Sequence, residues 1–402
     1  MRILHTADWH LGKKLEHYSR LEEQRAVLDE IVSVADAENV DVVLVAGDLF
    51  DNFNPSAEVS ELLYKTLKKL TNNGTRPVIA IAGNHDSADR IEAPDSLAKE
   101  CGIFFSGYPN THIGEFVTEN GIHIMRSEPG FVEIILPNME TPLRLLLTPY
   151  ANEIRLKTFL GLENPDGSLN DLLREKWQTL AKDYCDENGV NILVAHLYMM
   201  QNGGEKPEES EDERPIMIGN ASAVFTENIP AEIQYTALGH IHRGQCLDVD
   251  KNVFYSGSPL AYSFSEAGQT KYVHIVDAQP NEKVTIKKVT LESGKPLCRK
   301  RFSNIDDALV WLEENQNALV ELTIQTDQYI TAKDRKALFN AHSGIISIVP
   351  EIVNAETLSE QKNNIDLSQN METLFRQYFQ YKKGQEISDE LMELFREMQA
   401  KE

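Results

Sequence analysis

Three short apolar runs open the chain, and each hands over to a polar residue. Ile3–Leu4 leads to Asp8, Val42–Val45 to Asp48 and Val78–Ile81 to Asn84. Between the runs, residues 20–38 and 56–71 carry apolar side chains at helical spacing, as at Leu21, Leu28, Ile31 and Val32. Strand–helix alternation of this kind predicts a parallel sheet. Ligands of such sheets bind beyond the carboxyl ends of the strands, where these polar residues sit.

The pattern then shifts towards strands, at 143–148, 192–195, 235–238, 254–256 and 272–276, with a helix near 170–185. Residues 1–280 therefore read as one α/β domain, two packed sheets with helices outside. A smaller α/β cap is expected over 281–350, from strands at 298–302, 318–325 and 345–349 and helices at 304–315 and 332–341. Residues 351–367 are polar and read as a linker. The segment 368–402 predicts two amphipathic helices. Met371, Leu374, Phe375, Tyr378 and Phe379 form one stripe; Leu391, Leu394, Phe395 and Met398 form the other, with Ser388 as its N-cap.

Composition narrows the setting. A chain of 402 residues exceeds one core, and 41% hydrophobic content excludes wholesale disorder. No apolar run approaches the roughly 20 residues of a membrane helix, and the first residues lack a signal-peptide core. Cys101, Cys185, Cys246 and Cys298 form no Cys-x-x-Cys pair, which fits reduced thiols in the cytoplasm. The net charge of −24 opposes simple phosphate-backbone binding, unless bound cations or a partner supply positive charge. The basic stretch Lys283, Lys287, Lys288, Lys295, Arg299, Lys300 and Arg301 is one candidate nucleic-acid contact, and a solvated edge strand accounts for it equally well. Residues 203–215 read as an acidic, solvated loop.

The chemistry concentrates in five islands: Asp8-x-His10, Gly47-Asp48, Gly83-Asn84-His85-Asp86, His196 and Gly239-His240-Ile241-His242. Alternation along an extended segment puts both ends of Asp-x-His or His-x-His on one face. Carboxylate, imidazole and amide oxygen together suit manganese, iron or zinc and are too nitrogen-rich for a calcium or magnesium cage. A lone histidine after an apolar strand, such as His196, is more often a core residue; five islands in series at strand ends point to a site. Asp8, His10, Asp48, Asn84, His196, His240 and His242 are too many ligands for one ion. They fit two ions about 3.5–4 Å apart, with a carboxylate such as Asp48 bridging, a pair suited to phosphoryl chemistry. His85 is placed to protonate a leaving alkoxide, and Asp86 to orient a neighbour or brace the turn. Arg90 reads as an exposed helical residue, and His5, His17, His112, His123, His274 and His342 receive no role.

These motifs resemble the calcineurin-type metallophosphoesterase superfamily. Within it, His-Thr-Ala-Asp-Trp-His-Leu-Gly at 5–12, Ser19-Arg20, Val45 to Asp51, Ala82 to Ser87, Ala237 to His242 and Tyr255-Ser256-Gly257-Ser258-Pro259 resemble the SbcD family of bacterial nuclease subunits. The likeness is strong to about residue 280 and looser afterwards. It implies a metallophosphoesterase sandwich holding manganese on the seven ligands, with His85 as the catalytic histidine. It implies double-strand exonuclease and single-strand or hairpin endonuclease activity in DNA repair, replication and recombination. Some relatives carry a second histidine where this chain has Asp51, which is therefore expected to support the site rather than act as acid or base. The family also implies a coiled-coil ATPase partner of the SbcC type, docked on the C-terminal helices in a paired, two-plus-two arrangement, and a nucleoid-associated setting. Some 35 residues cannot form a stable core alone, so the stripes of 368–402 need a surface, either a partner's or one another's.

Two other functions remain at this stage. A phosphoesterase for small phosphate esters would use the same ligands, but has no evident need of the cap and the helix pair. A non-catalytic scaffold would have lost ligands, and none is missing.

Overall fold

The computed structural model describes residues 1–150, 169–209, 223–326, 330–352, 371–383, 387, 391–392 and 395. Period-two alternation in short strands decides which layer each side chain enters. In the strands Arg2–Thr6 and Val42–Val45, Ile3, Val42 and Leu44 face a second sheet, whereas Leu4, Val43 and Val45 face helices. Both sets are fully buried, each side chain contributing about 1.5–3 kcal/mol.

The first sheet has six strands in the order Thr285–Thr290, Tyr272–Asp277, Arg2–Thr6, Val42–Val45, Val78–Ile81, Ile103–Ser106. Its last four are mutually parallel, as the strand–helix alternation predicts, and Tyr272–Asp277 runs antiparallel to both its neighbours. The second sheet has eight strands, with Leu143–Thr148, Val190–His196, Tyr235–Gly239 and Val253–Tyr255 as its parallel centre. Ile79, Ile81 and Phe104 of the first sheet pack against Leu145, Ile192, Val194 and Ala237 of the second. Helices Leu21–Ala37 and Ala57–Leu70 cover the outer face of the first sheet. Helix Leu169–Tyr184 covers the second, burying Trp177, whose Nε1 donates to Thr148 Oγ1 at 2.9 Å. The two-sheet α/β sandwich expected from the sequence is what forms.

The smaller unit is a parallel sheet of Leu297–Phe302, Leu319–Thr326 and Ile345–Ile352, with helices Ile305–Glu314 and Ala332–Ala341. Asn304 and Thr331 cap these helices, accepting from the backbone N–H groups of Asp307 and Asp334. The last strand runs past the expected end at 349, through Pro350 to Ile352. It is an edge strand, where a residue without an N–H donor is tolerated. Leu297, Leu319 and Ile346 meet Leu15 and Phe264, which fastens the cap to the sandwich.

Residues 353–370, hence nearly all of the expected linker, lie outside the described residues, as do 210–215 of the acidic loop and the proposed cap Ser388. Met371–Lys383 is helical, and Phe375 stacks on Phe395 with ring centroids 4.1 Å apart. The two C-terminal stripes thus meet each other at that point. Among the described residues, no helix is long and apolar enough to cross a membrane, and all four cysteines are unpaired.

Candidate metal centre

The five islands converge at the carboxyl ends of the central strands of both sheets. Asp8 and Asp48 follow the first two strands, Asn84 the third, and His196 and His240 close Val190–His196 and Tyr235–Gly239. Asp8, His10 and Asp48 hold left-handed backbone, with φ of 55°, 43° and 50°, and His240 reaches 107°. Such conformations cost about 1–3 kcal/mol each and persist where surrounding bonds fix them. Here His10 N donates to Asp48 O at 2.9 Å, and His240 N to Asp8 Oδ1 at 2.8 Å. Two glycines next to the site allow close approach of its loops. A Cβ on Gly83 would collide with the Asp48 carboxylate, and one on Gly239 with the Ala46 carbonyl.

Asp48 is the hub. Its Oδ2 lies 3.4 Å from Nε2 of His10 and 3.4 Å from Nε2 of His196. Two overlapping donor clusters share it, Asp8–His10–Asp48 and Asp48–His196–His240, the donor atoms of each within 4.8 Å of one another. His242 Nε2 joins the first cluster, 2.9 Å from His10 Nε2. Asn84 Oδ1 joins the second, 3.0 Å from His196 Nε2 and 2.9 Å from His240 Nδ1. All seven expected ligands are brought together.

The electrostatics fit cations. Burial pushes the Asp8 carboxyl up to about 7, and its Oδ2 is buried without a hydrogen-bond partner. Burial lowers His10 well below the usual imidazole range and His240 to about 3, which keeps both neutral and able to ligate. For His196, burial acts downward, but the Asp48 and Asp8 carboxylates outweigh it and carry the ring to about 9. The cluster therefore draws positive charge to its middle. His196 Nδ1 lies 2.8 Å from the Ala46 carbonyl, which can only accept, so Nε2 is left for ligation. This donor set supports divalent metal use.

Asp86 braces the turn. It is fully buried, and its carboxylate accepts from the backbone N–H groups of Phe50 (2.9 Å), Leu49 (3.0 Å) and Gly83 (2.8 Å). It thereby stitches the Asp48 loop to the Asn84 loop. His85 is half-buried, with its Nδ1 on the Asp51 carbonyl and its ring 4.7 Å from that of His10. Asp51 Oδ1 lies 3.7 Å from His10 Nδ1 and 3.8 Å from Lys13 Nζ. Arg90 is exposed and donates to Asn54 Oδ1 at 3.1 Å.

Several supports carry no signal in the sequence. Gln24 Nε2 donates to the His10 carbonyl at 2.9 Å, and the Tyr262 hydroxyl to the Trp9 carbonyl. Behind His242 stand Glu266 and Lys271, buried and paired at 2.5 Å. Burial acts to raise the Glu266 carboxyl, but Lys271 and His242 outweigh it and hold it at about 2. These residues belong to no short motif, so only their contacts reveal them.

The basic stretch is largely consumed by intramolecular partners. Lys287 pairs with Glu38, Arg299 with Glu321 and Arg301 with Glu351. Lys288 and Lys300 sit over the rings of Tyr272 and Trp311, and Lys295 donates to the Tyr18 hydroxyl. Of the histidines without an expected role, His5 and His274 are fully buried and stacked, with centroids 5.7 Å apart. His5 bonds the Tyr235 hydroxyl and the Leu238 carbonyl; both His274 ring nitrogens are without a partner.

The calcineurin-like phosphoesterase family matches residues 1–243. Three relatives are named as the SbcD component of the nuclease SbcCD. The protein of Bacillus subtilis (strain 168) is 37% identical over 99% of this chain and 97% of its own length. That of Rhodobacter capsulatus is 34% identical over 69% of this chain and 66% of its own. That of Staphylococcus saprophyticus is 32% identical over 77% and 73%.

Proposed function

We propose that this chain, which belongs to the calcineurin-like phosphoesterases and within them to the SbcD nuclease subunits, is a metal-dependent nuclease that hydrolyses DNA phosphodiesters. The observation that carries the reading is the shared Asp48 carboxylate, equidistant from an imidazole of each donor cluster. One cation, most simply Mn²⁺, would be held by Asp8, His10, Asp48 and His242, and a second by Asp48, Asn84, His196 and His240. When bound, the pair would polarise the phosphoryl group and make hydroxide available at neutral pH.

The side chains supply the rest. Asp8 and Asp48 provide anionic charge, and the neutral imidazoles provide lone pairs on rings fixed from behind. His85 is the general acid. With Nδ1 committed to the Asp51 carbonyl, its Nε2 delivers the proton to the leaving 3′ or 5′ oxygen. The cleavage modes carried by this reading are double-strand exonuclease and single-strand or hairpin endonuclease activity.

The relatives are named as part of a complex. We read residues 368–402 as the docking element for an SbcC-type coiled-coil ATPase, in a two-plus-two assembly in which this chain is paired. The nuclease domain then extends past the expected end at 280 to Thr290, because Thr285–Thr290 pairs into its first sheet, and the cap of the expected 281–350 begins only at Leu297.

The test is Mn²⁺-dependent cleavage of a DNA hairpin against bis(p-nitrophenyl) phosphate. Preferred hairpin cleavage, abolished by chelation and restored by Mn²⁺, is the expected result. Equal or better turnover of the simple ester favours a small-ester phosphoesterase instead.

A further inference from the structure

His242 differs from the other ligands in how it is held. Its backbone carbonyl accepts from Lys271 Nζ at 2.9 Å and from Ser258 N at 3.1 Å. Its Nδ1 faces Glu266 Oε1 at 3.6 Å, and its Nε2 faces His10 across the donor cluster. Glu266 is locked in turn, with Oε1 accepting from Tyr262 N at 3.1 Å and Oε2 from Lys271 Nζ at 2.5 Å. Lys271 Nζ also donates to Ser258 Oγ at 3.0 Å. One buried ion pair thus touches both the ring and the main chain of a single histidine.

A buried pair of this kind is weak as a stabiliser, because the desolvation of two charges offsets their attraction. Its position suggests a different use. A carboxylate behind a ligating imidazole fixes the tautomer and ring orientation and raises the basicity of the donor nitrogen.

We infer that Glu266 and Lys271 form a positioning clamp for His242, dedicated to the cation held with Asp8, His10 and Asp48. Glu266 sets the ring with its proton on Nδ1, and Lys271 sets the loop. The other cation site has no share in the clamp: His196 is set by the Ala46 carbonyl. The inference rests on the two-cation reading.

The test is calorimetric titration of the chelator-stripped full chain with Mn²⁺. Glu266→Gln/Lys271→Met removes both charges at nearly constant volume, so no buried charge is left unpaired. The expected isotherm keeps one site within about twofold of wild type and weakens the other about 10- to 100-fold. The metal-free melting midpoint should stay close to wild type. Wild-type affinity at both sites, or equal weakening of both, overturns the clamp. If wild-type protein itself fails to bind two ions, the two-cation reading fails instead. Should the double variant not fold, the wild-type chain loaded with Cd²⁺ decides by histidine ¹⁵N spectroscopy. The clamp requires His242 metallated at Nε2 and protonated at Nδ1, and the opposite tautomer overturns it.

Discussion

Nδ1 of His85 lies 2.8 Å from the backbone carbonyl of Asp51, a group that can only accept, so this nitrogen carries a proton. The main chain thereby chooses which edge of the ring would serve the proposed proton transfer. His85→Ala removes the ring without removing a ligand. It should retain two bound metals and lower DNA cleavage about 10²- to 10⁴-fold. Metal analysis beside a nuclease assay checks both halves, and wild-type cleavage would remove His85 from the chemistry.

Asp86 serves three backbone donors at once. An amide in its place turns its –NH₂ towards at least one of them. Asp86→Asn should cost on the order of 3 kcal/mol of stability and reduce metal occupancy, since the Asp48 and Asn84 loops lose their stitch. Urea unfolding of the metal-free variant and its metal content report the two effects. Unchanged values for both would contradict the bracing role.

Acid should loosen the sandwich through His5 and His274. Burial holds His5 well below its ordinary range and His274 at about 3, so both are neutral when folded and protonate near pH 6.5 when unfolded. The unfolded chain then binds more protons, so stability is fully present above about pH 6.5 and falls as pH drops below it. From pH 7.5 to 5.5, each group accounts for about 1.4 kcal/mol. His274→Leu should lose about that much less than wild type over the same interval in urea titrations. An identical pH loss in both proteins would exclude the effect.

Removing residues 368–402 should abolish co-purification with an SbcC-type ATPase while leaving basal cleavage intact. Phe375 stacks on Phe395 within the segment, and all seven candidate ligands lie before residue 243. Retained co-purification would place the docking surface elsewhere.

What could be read ahead of the structure followed from locality. The central strands announce themselves as apolar runs because both faces are buried. The proposed ligands announce themselves because each island follows such a run. The hairpin His123–Glu128 and Phe131–Ile135 is not legible in the sequence: its register shifts between Ile124 and Arg126, and the bulge breaks the alternation that would mark it. Thr285–Thr290 reads in the sequence only as part of a basic stretch, because its edge position leaves Lys287 and Lys288 exposed. Glu266 and Lys271 carry no sequence signal for another reason: they act through a contact with a residue more than twenty positions away, and no spacing rule encodes it.

The pairing of Arg2–Thr6 with Tyr272–Asp277 also sets an order of events as the chain is made. The backbone nitrogen of Met1 bonds the carbonyl of Ala278, so the first strand waits for its outer neighbour until residue 278 has left the ribosome. Asp8 likewise waits for the backbone of His240. Loop closure over such separations is slow. A truncated or nascent chain that stops short of His240 has no means of assembling the full set of seven proposed ligands, so the proposed metal centre is completed late in synthesis.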